Sequence, residues 1–344
     1  MVETYKPFSI ENKKRGYAMR KLLLGTTALA AAATLSANAA LADVSISGAY
    51  EWSYNSRSSN IAANDVTSFG NDSEIKFSFT NKTDSGLTIT AVTELEADGD
   101  ATTSTDEHSI SISGGFGTFK LGRDDSVGDN FGIEAEDLIA EESTPLSGSM
   151  TTSVLTDTDI RAASSDSNKI SYYIPAMGGF TAGISHTTSV TGATDSTEYG
   201  ARFTTSAAGS TITLGGATGT TDTASGTPDT DSQNIGVKIV SGAVSVILAQ
   251  STYEASGEDQ EANGASISYA MGNGMTIGAY TMESDDGVDA GEEYSKSGVE
   301  VQYAIASGLT AVITVDDYEY KAGTGGDGTA DSGTNSKLTI KASF

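Results

Sequence analysis

Ser336-Lys337-Leu338-Thr339-Ile340-Lys341-Ala342-Ser343-Phe344 closes the chain on a strict alternation. In an extended segment, Leu338, Ile340, Ala342 and Phe344 fall on one side, and Lys337, Thr339, Lys341 and Ser343 on the other. The same two-sided pattern recurs along the chain. It begins near Val44, where Val44, Ile46, Gly48, Tyr50, Trp52 and Tyr54 share a face. It returns in Ile75-Phe77-Phe79, Ile170-Tyr172-Ile174, Ile235-Val237-Ile239 and Leu309-Ala311-Ile313-Val315, among others, for about sixteen strands in all.

The gaps between these strands alternate in length. Seven are tight turns, among them Asn81 to Gly86, Gly114 to Gly117, Pro175 to Gly179, Ser241-Gly242 and Ile305 to Gly308, and most carry glycine. The remaining connections read as longer, acidic and polar, as in Asp98 to Asp106, Thr220 to Ser232, Glu254 to Asn263, Glu283 to Glu293 and Lys321 to Asn335. The longest strand-free stretch is Asp124 to Ser167, with weak helical periodicity near Phe131 to Ala140.

The front of the chain reads differently. Arg20-Lys21 precedes an Ala-rich apolar stretch, Leu22 to Leu35, and small residues end in Ala40-Leu41-Ala42. This is the layout of a secretory signal peptide over residues 19–42, with Ala37-Asn38-Ala39 as a second cleavage position. A transmembrane anchor is the alternative, but the apolar core is short and no stop-transfer flank follows. Residues 1–18 read as an upstream extension of the true start or as part of an unusually long leader, which leaves 43–344 as the folded body.

Residues 1–42 hold six of the 19 Lys and Arg and two of the 46 Asp and Glu. The body therefore carries 13 minus 44 charges, a net −31. Such a chain repels nucleic acid and gathers cations in any space it encloses. It has no cysteine, so neither disulfides nor thiolate metal sites hold it together.

An all-β chain of this kind can be a soluble sandwich, its apolar faces buried against each other. Against that stand the length without a dividing linker, the regular alternation of turn lengths, and a polar face rich in Thr and small residues. A closed antiparallel transmembrane β-barrel of about sixteen strands satisfies all three. Closure pairs every backbone group in lipid and removes the sheet edges, and a barrel of this size is too wide for side chains to fill. Short periplasmic turns and long external loops match the two classes of gap.

Asp43-Val44-Ser45-Ile46-Ser47-Gly48 after the leader, Phe116-Gly117-Thr118-Phe119-Lys120-Leu121-Gly122-Arg123, Asn168-Lys169-Ile170-Ser171-Tyr172-Tyr173-Ile174-Pro175 and the terminal Phe344 together resemble the general diffusion porins of Gram-negative bacteria, especially the alphaproteobacterial ones. The resemblance spans the body of the chain. It implies passive passage of small hydrophilic solutes and ions across the cell outer membrane, a homotrimer in outer-membrane lipid, and no cofactor. It also implies that the third external loop, here 124–167, folds into the lumen, and that Phe344 is the label read by the barrel assembly machinery.

The constriction is then where the chemistry belongs. The loop carries Asp124, Asp125, Asp129, Glu134, Glu136, Asp137, Glu141 and Glu142, with no Lys or Arg between Arg123 and Arg161. As a solvated surface these charges do little; folded inward, they favour small cations where field lines focus. Lys76, between outward Ile75 and Phe77, is the expected basic wall, with Arg57, Arg202 and Lys238 as further candidates. The resembling porins place arginines at the loop roots, the positions of Arg123 and Arg161 here. By alternation, however, Arg123 falls on the outward side of Phe119 and Leu121, and a bulge is needed to turn it inward.

His108 and His186 read as rim residues, the glycine pairs as turns, and no metal cluster or nucleophilic triad stands out. Two other functions fit parts of the pattern: an outer-membrane hydrolase on a barrel, needing an ordered Ser, His and acid at one rim, and a secreted acidic surface or adhesive protein whose loops bind calcium.

Overall fold

The computed structural model describes residues 43–97, 104–141, 154–161, 167–188, 194–222, 229–288, 291–323 and 328–344. The leader expected at 1–42 and the loop residue Glu142 lie outside them. The strands are β1 (Asp43–Ser59), β2 (Val66–Lys82), β3 (Thr88–Glu96), β4 (Ser104–Gly114), β5 (Gly117–Asp124), β6 (Ser167–Tyr173), β7 (Phe180–Thr188), β8 (Asp195–Ala207), β9 (Ser210–Asp222), β10 (Thr230–Ser241), β11 (Val244–Ala255), β12 (Glu258–Ala270), β13 (Met275–Asp286), β14 (Glu293–Ala306), β15 (Leu309–Lys321) and β16 (Asp331–Ser343). Each pairs antiparallel with its sequence neighbours, and β1 pairs with β16 to close the barrel.

The closing seam follows the alternation of the terminal strand. Tyr50, Trp52 and Tyr54 lie opposite Ala342, Ile340 and Leu338, so the apolar sets of both strands share the outer side. Gly48 and Phe344 extend the ladder by exchanging backbone hydrogen bonds, with Phe344 N–H donating to the Gly48 carbonyl at 2.9 Å. Around the barrel the large exposed side chains are apolar, including Ile235, Leu248, Ile267, Val299 and Ile313. In water a contiguous apolar exterior of this kind would drive association. In a bilayer it is the lipid-facing band.

Several connections read as long loops are in fact strand. Only Ser256 and Gly257 join β11 to β12, although the sequence pattern placed a loop from Glu254 to Asn263. The apolar alternation stops at the edge of the lipid band, but the hydrogen-bond ladder does not need it. Beyond that edge both faces meet water, and polar residues continue the strand. Gly257 makes the tight reversal possible with φ of 82°.

The stretch between β5 and β6 does not rise away from the barrel. It forms α1 (Val127–Phe131) and a 3-10 turn at Ala135–Leu138. The helix starts earlier than the periodicity suggested because Ser126 and Asp129 form a reciprocal capping box. Both pieces pack on the inner wall, α1 on β7 to β9 and the turn on β11 to β13.

Candidate functional site: the luminal constriction

Main chain can lie against the inner face of a sheet only where that face carries almost no side chain, and a row of glycines supplies the space. Gly183 on β7 is the cross-strand partner of Gly200 on β8. Gly215, Gly236, Ala249 and Gly264 are successive partners on β9 to β12. Phe131 sits over Gly183 and Gly200, Ile133 over Gly215 and Gly236, Ala135 over Gly264, and Ile139 over Gly278 of β13. A Cβ at Gly200 would stand 2.7 Å from Phe131 Cβ, at Gly236 2.5 Å from the Ile133 carbonyl oxygen, and at Gly264 2.5 Å from Ala135 Cβ. No side chain fits at those distances, so these glycines set how deeply the loop lies in the wall.

Apolar residues on the inward side complete the seat. Ile247 and Ala249 pack with Ile133 and Ala135. Higher up, Val154 and Leu155 of the returning loop pack on Ala262, Met282, Tyr294, Tyr318 and Tyr320. These inward residues occupy positions that are polar elsewhere, and an apolar residue out of step is the sequence signal that would have marked the seat.

Polar anchors come from strand after strand. Lys169 of β6 donates to the Asp124 carbonyl, and Glu198 of β8 accepts Gly128 N–H at 2.9 Å. Arg202 donates to the Gly132 carbonyl at 2.6 Å. Asn234 of β10 accepts Ile133 N–H at 3.0 Å and donates to the Thr158 carbonyl at 2.7 Å, tying the outgoing and returning arms together. At the far end the Glu300 carboxylate of β14 accepts both Ala140 N–H (2.9 Å) and Glu141 N–H (2.8 Å). Lys337 and Lys341 of β16 then pair with Glu141, and Lys341 also reaches Glu51 of β1 at 2.9 Å. The loop therefore crosses the interior from β5 to the closing seam.

The acidic residues of the loop divide by role. Asp124 ends β5, where its carboxylate pairs with Lys120 and accepts Ser109 Oγ at 2.8 Å. Asp129 and Asp137 hold local turns, accepting the backbone N–H of Ser126 and Glu134. Glu134 and Glu136 are buried, with Glu136 accepting Thr158 Oγ1 at 2.8 Å. Asp125, Asp129 and Asp137 keep partial exposure. Asp124 and Asp125 also converge with Glu107 of β4, all three within ligand reach of one another.

The basic residues are placed just as variously. Lys76 faces the lumen, held by Glu94 and, at 3.9 Å, Glu107. Arg57 binds the Asn64 carbonyl at 2.8 Å near the upper end of β1, Arg202 lies under the loop, and Lys238 shares the inward side with Ile247. Arg161 lies inside the outer mouth, 4.3 Å above the Tyr253 ring and 3.6 Å from Glu258. Arg123 stays on the outer side. Its partners in the ladder are His108 and Asn168, and the register from Leu121 to Asp124 runs on without a bulge that would turn it inward.

With the loop laid along β7 to β14, the passage is left against β1 to β4, and that wall is acidic. Glu51 stands directly opposite Asp72, Glu74 opposite Glu96, and Glu94 opposite Lys76. Directly opposed like charges cost energy in a ladder. Glu107 of β4, two residues from inward Ser109, joins the same side, beside Lys76 at 3.9 Å. The expected basic wall is thus a lysine set among carboxylates.

A closed sixteen-strand barrel with an apolar exterior, a polar lumen and a loop folded across it defines a transmembrane diffusion channel. Residues 25–323 match the Gram-negative porin family, and the chain belongs to it. It is a porin-type channel of the outer membrane and not an enzyme. Solved structures with the same fold include an anion-selective porin from Comamonas acidovorans, 18% identical with a TM-score of 0.64, covering 88% of this chain and 100% of that one. The trimer form of OmpT, an outer membrane protein of Vibrio cholerae, is 12% identical with a TM-score of 0.65 over 88% and 99% of the two chains. A double mutant of the Rh. blastica porin is 18% identical with a TM-score of 0.60 over 88% and 100%. None of the curated proteins matches the chain.

Proposed function

We propose that the channel passes small hydrophilic solutes and ions by passive diffusion and prefers cations. The observation that carries this reading is the concentration of carboxylates on the inner wall of β1 to β4, Glu51, Asp72, Glu74, Glu94 and Glu107, joined at the root of the loop by Asp124 and Asp125. Lys76, Lys120 and Lys341 are each held by a neighbouring carboxylate, and the carboxylates outnumber them, so the unbalanced field in the passage is negative. The Comamonas porin named as anion-selective shares the fold, and selectivity belongs to lumen side chains that a fold does not specify.

Export by a signal peptide at 19–42, recognition of Phe344 by the barrel assembly machinery and assembly as a homotrimer complete the proposal. Phe344 supports its part by ending the outward side of β16, 72% exposed. The finer placement among alphaproteobacterial porins rests on the sequence motifs alone. Reversal potentials across a planar bilayer under a salt gradient test the selectivity. A value on the cation side is expected, with steps in threes; an anion-side value ends the cation reading, and no conductance ends the channel reading.

A further inference from the structure

Strand register sorts the charges of the lumen by height as well as by side. From β5 to β13 the inward positions between the short turns and the loop are uncharged except for Lys120, Arg202 and Lys238. Lys120 is paired with Asp124. Lys238 makes no ion pair or hydrogen bond among the described residues. Arg202 donates to the Gly132 carbonyl, has no partner at Nε among the described residues, and feels Asp137 of the loop from beyond ion-pair distance. The two cations flank β9. Arg202 is the partner of Gly215, and Lys238 is the partner of Thr213, one inward step nearer the short turns. Thr204 and Thr213 share a hydrogen bond of 3.1 Å between them. Asp43, Lys82 and Asp84 are exposed at the mouth itself, where salt screens them.

The outer half has the opposite balance. Counting inward positions from the short-turn end, and leaving aside Asp43 at the mouth, β1 to β4 reach their first carboxylates at Glu51, Glu74, Glu94 and Glu107. Cations at or above the loop do not offset them. Arg161 and Lys337 are each paired with a carboxylate, Lys296 is buried, and Arg57 and Lys169 bind backbone carbonyls. A wall that is negative in one half and positive in the next gathers cations in the first and anions in the second.

We propose that the channel conducts asymmetrically, because Arg202 and Lys238 make its periplasmic half positive beneath an acidic outer half. With the long-loop side at positive voltage, cations of the outer half and anions of the inner half both drift toward the level of the loop. They accumulate there and carry more current. At the opposite voltage both are drawn away from that level, which is depleted of carriers. The inference rests on the cation reading for the outer half alone. A reversal potential under a salt gradient reports net preference, whereas curvature in symmetrical salt reports this polarity, so the two fail separately.

The test is the current–voltage curve of single open channels of the purified protein in symmetrical potassium chloride. It is taken at about 0.1 M and about 1 M, between which the screening length falls from about 10 Å to about 3 Å. At low salt, wild type should pass about 1.5-fold or more current with the long-loop side positive than at the opposite voltage. At high salt the two currents should become equal. K238E removes no contact that holds the loop and should bring the low-salt ratio near one, while K82Q in the open mouth should leave it unchanged. Orientation is read with S307C in the exposed β14–β15 turn, a unique thiol in a chain without cysteine, from the chamber in which a bulky thiol reagent alters the current. A symmetrical wild-type curve at low salt, the opposite sense, asymmetry that survives high salt, or a larger change in K82Q than in K238E each overturns the proposal. If K238E fails to fold, K238Q, which should lower the ratio toward one, decides the question.

Discussion

The inner wall has two halves built to opposite rules. From β7 to β14 it presents a row of glycine and alanine with polar anchors such as Glu198, Asn234 and Glu300 beside it, and it holds a loop. From β1 to β4 it presents carboxylates with a lysine among them, and it faces the passage. Along its glycine row the first half has lost its side chains so that backbone can lie where side chains would stand. The second keeps charged side chains because solvent and ions compensate them. The width of the channel is thus decided on one half and its preference on the other.

The strongest way to break this division is at the seam, where the loop end meets β16. K337M/K341M together leave Glu141, 4% exposed, as a buried charge without its two ammonium partners. The loss should be about 3–5 kcal/mol, read as a lower thermal transition, with larger single-channel steps as the loop end lifts. Adding E141Q should return much of the stability, since removing a whole buried pair costs less than stranding one member. The triple variant keeps the wider channel.

Next comes the glycine row. G236V forces a side chain against the Ile133 carbonyl and should cost about 1–3 kcal/mol of loop seating, seen as increased conductance and easier proteolysis within 124–167. G115A, where nothing lies within 4 Å of an added Cβ, should behave as wild type. Equal effects at both positions would show that the row does not seat the loop.

Selectivity sharpens the comparison from the other half. E51Q/D72N/E74Q removes charge from the open wall and should move the reversal potential toward zero with little change in step size. Neutralising Glu134, Glu136 and Asp137 should weaken cation preference less, because Glu134 and Glu136 are buried and structural; an unchanged permeability ratio would place those charges outside the passage. If the loop triple shifts selectivity more than the wall triple does, the assignment of the two halves is reversed.

The smallest effect is a pH dependence. Burial raises the Glu141 carboxyl, but the charges of Lys337 and Lys341 outweigh it and hold the group below its ordinary 4.5. Stability from a lowered carboxylate is present above its ordinary value and lost as pH falls through the lowered one. Step size should therefore stay constant from neutral pH to about 4.5 and rise only below that. Asp129 runs the other way. Burial lifts it to about 6 against the opposing Ser126 hydrogen bonds, so its ionised form costs the loop above that value and relief comes on acidification. A rise in step size beginning near pH 6 would show that Glu141 is not the controlling group.

Much of the barrel was legible in the terminal strand. Leu338, Ile340 and Ala342 needed a hydrophobic outside, and the seam with Tyr54, Trp52 and Tyr50 follows from that parity. The ends of strands were less legible, as in Glu254 to Asn263, because polar residues pair in a ladder without showing it in an apolar pattern. The seat of the loop was hidden for a different reason. Gly215, Gly236 and Gly264 are far apart in the chain and read individually as weak points of strands; only their registers align them. Ile247, Met282 and Tyr320 broke the alternation, and that irregularity carried the information.

Arg123 shows the boundary between the two kinds of knowledge. Its parity alone pointed outward, while its place at the root of an acidic loop pointed inward, and the unbroken register with His108 and Asn168 decides for parity. The sequence by itself determined which side of each strand meets lipid, because a period of two has only two outcomes and hydrocarbon accepts one of them. Tertiary structure alone decided which charges meet across the passage. Those neighbours come from strands hundreds of residues apart, and barrel closure and register bring Lys341 to Glu51 and to Glu141.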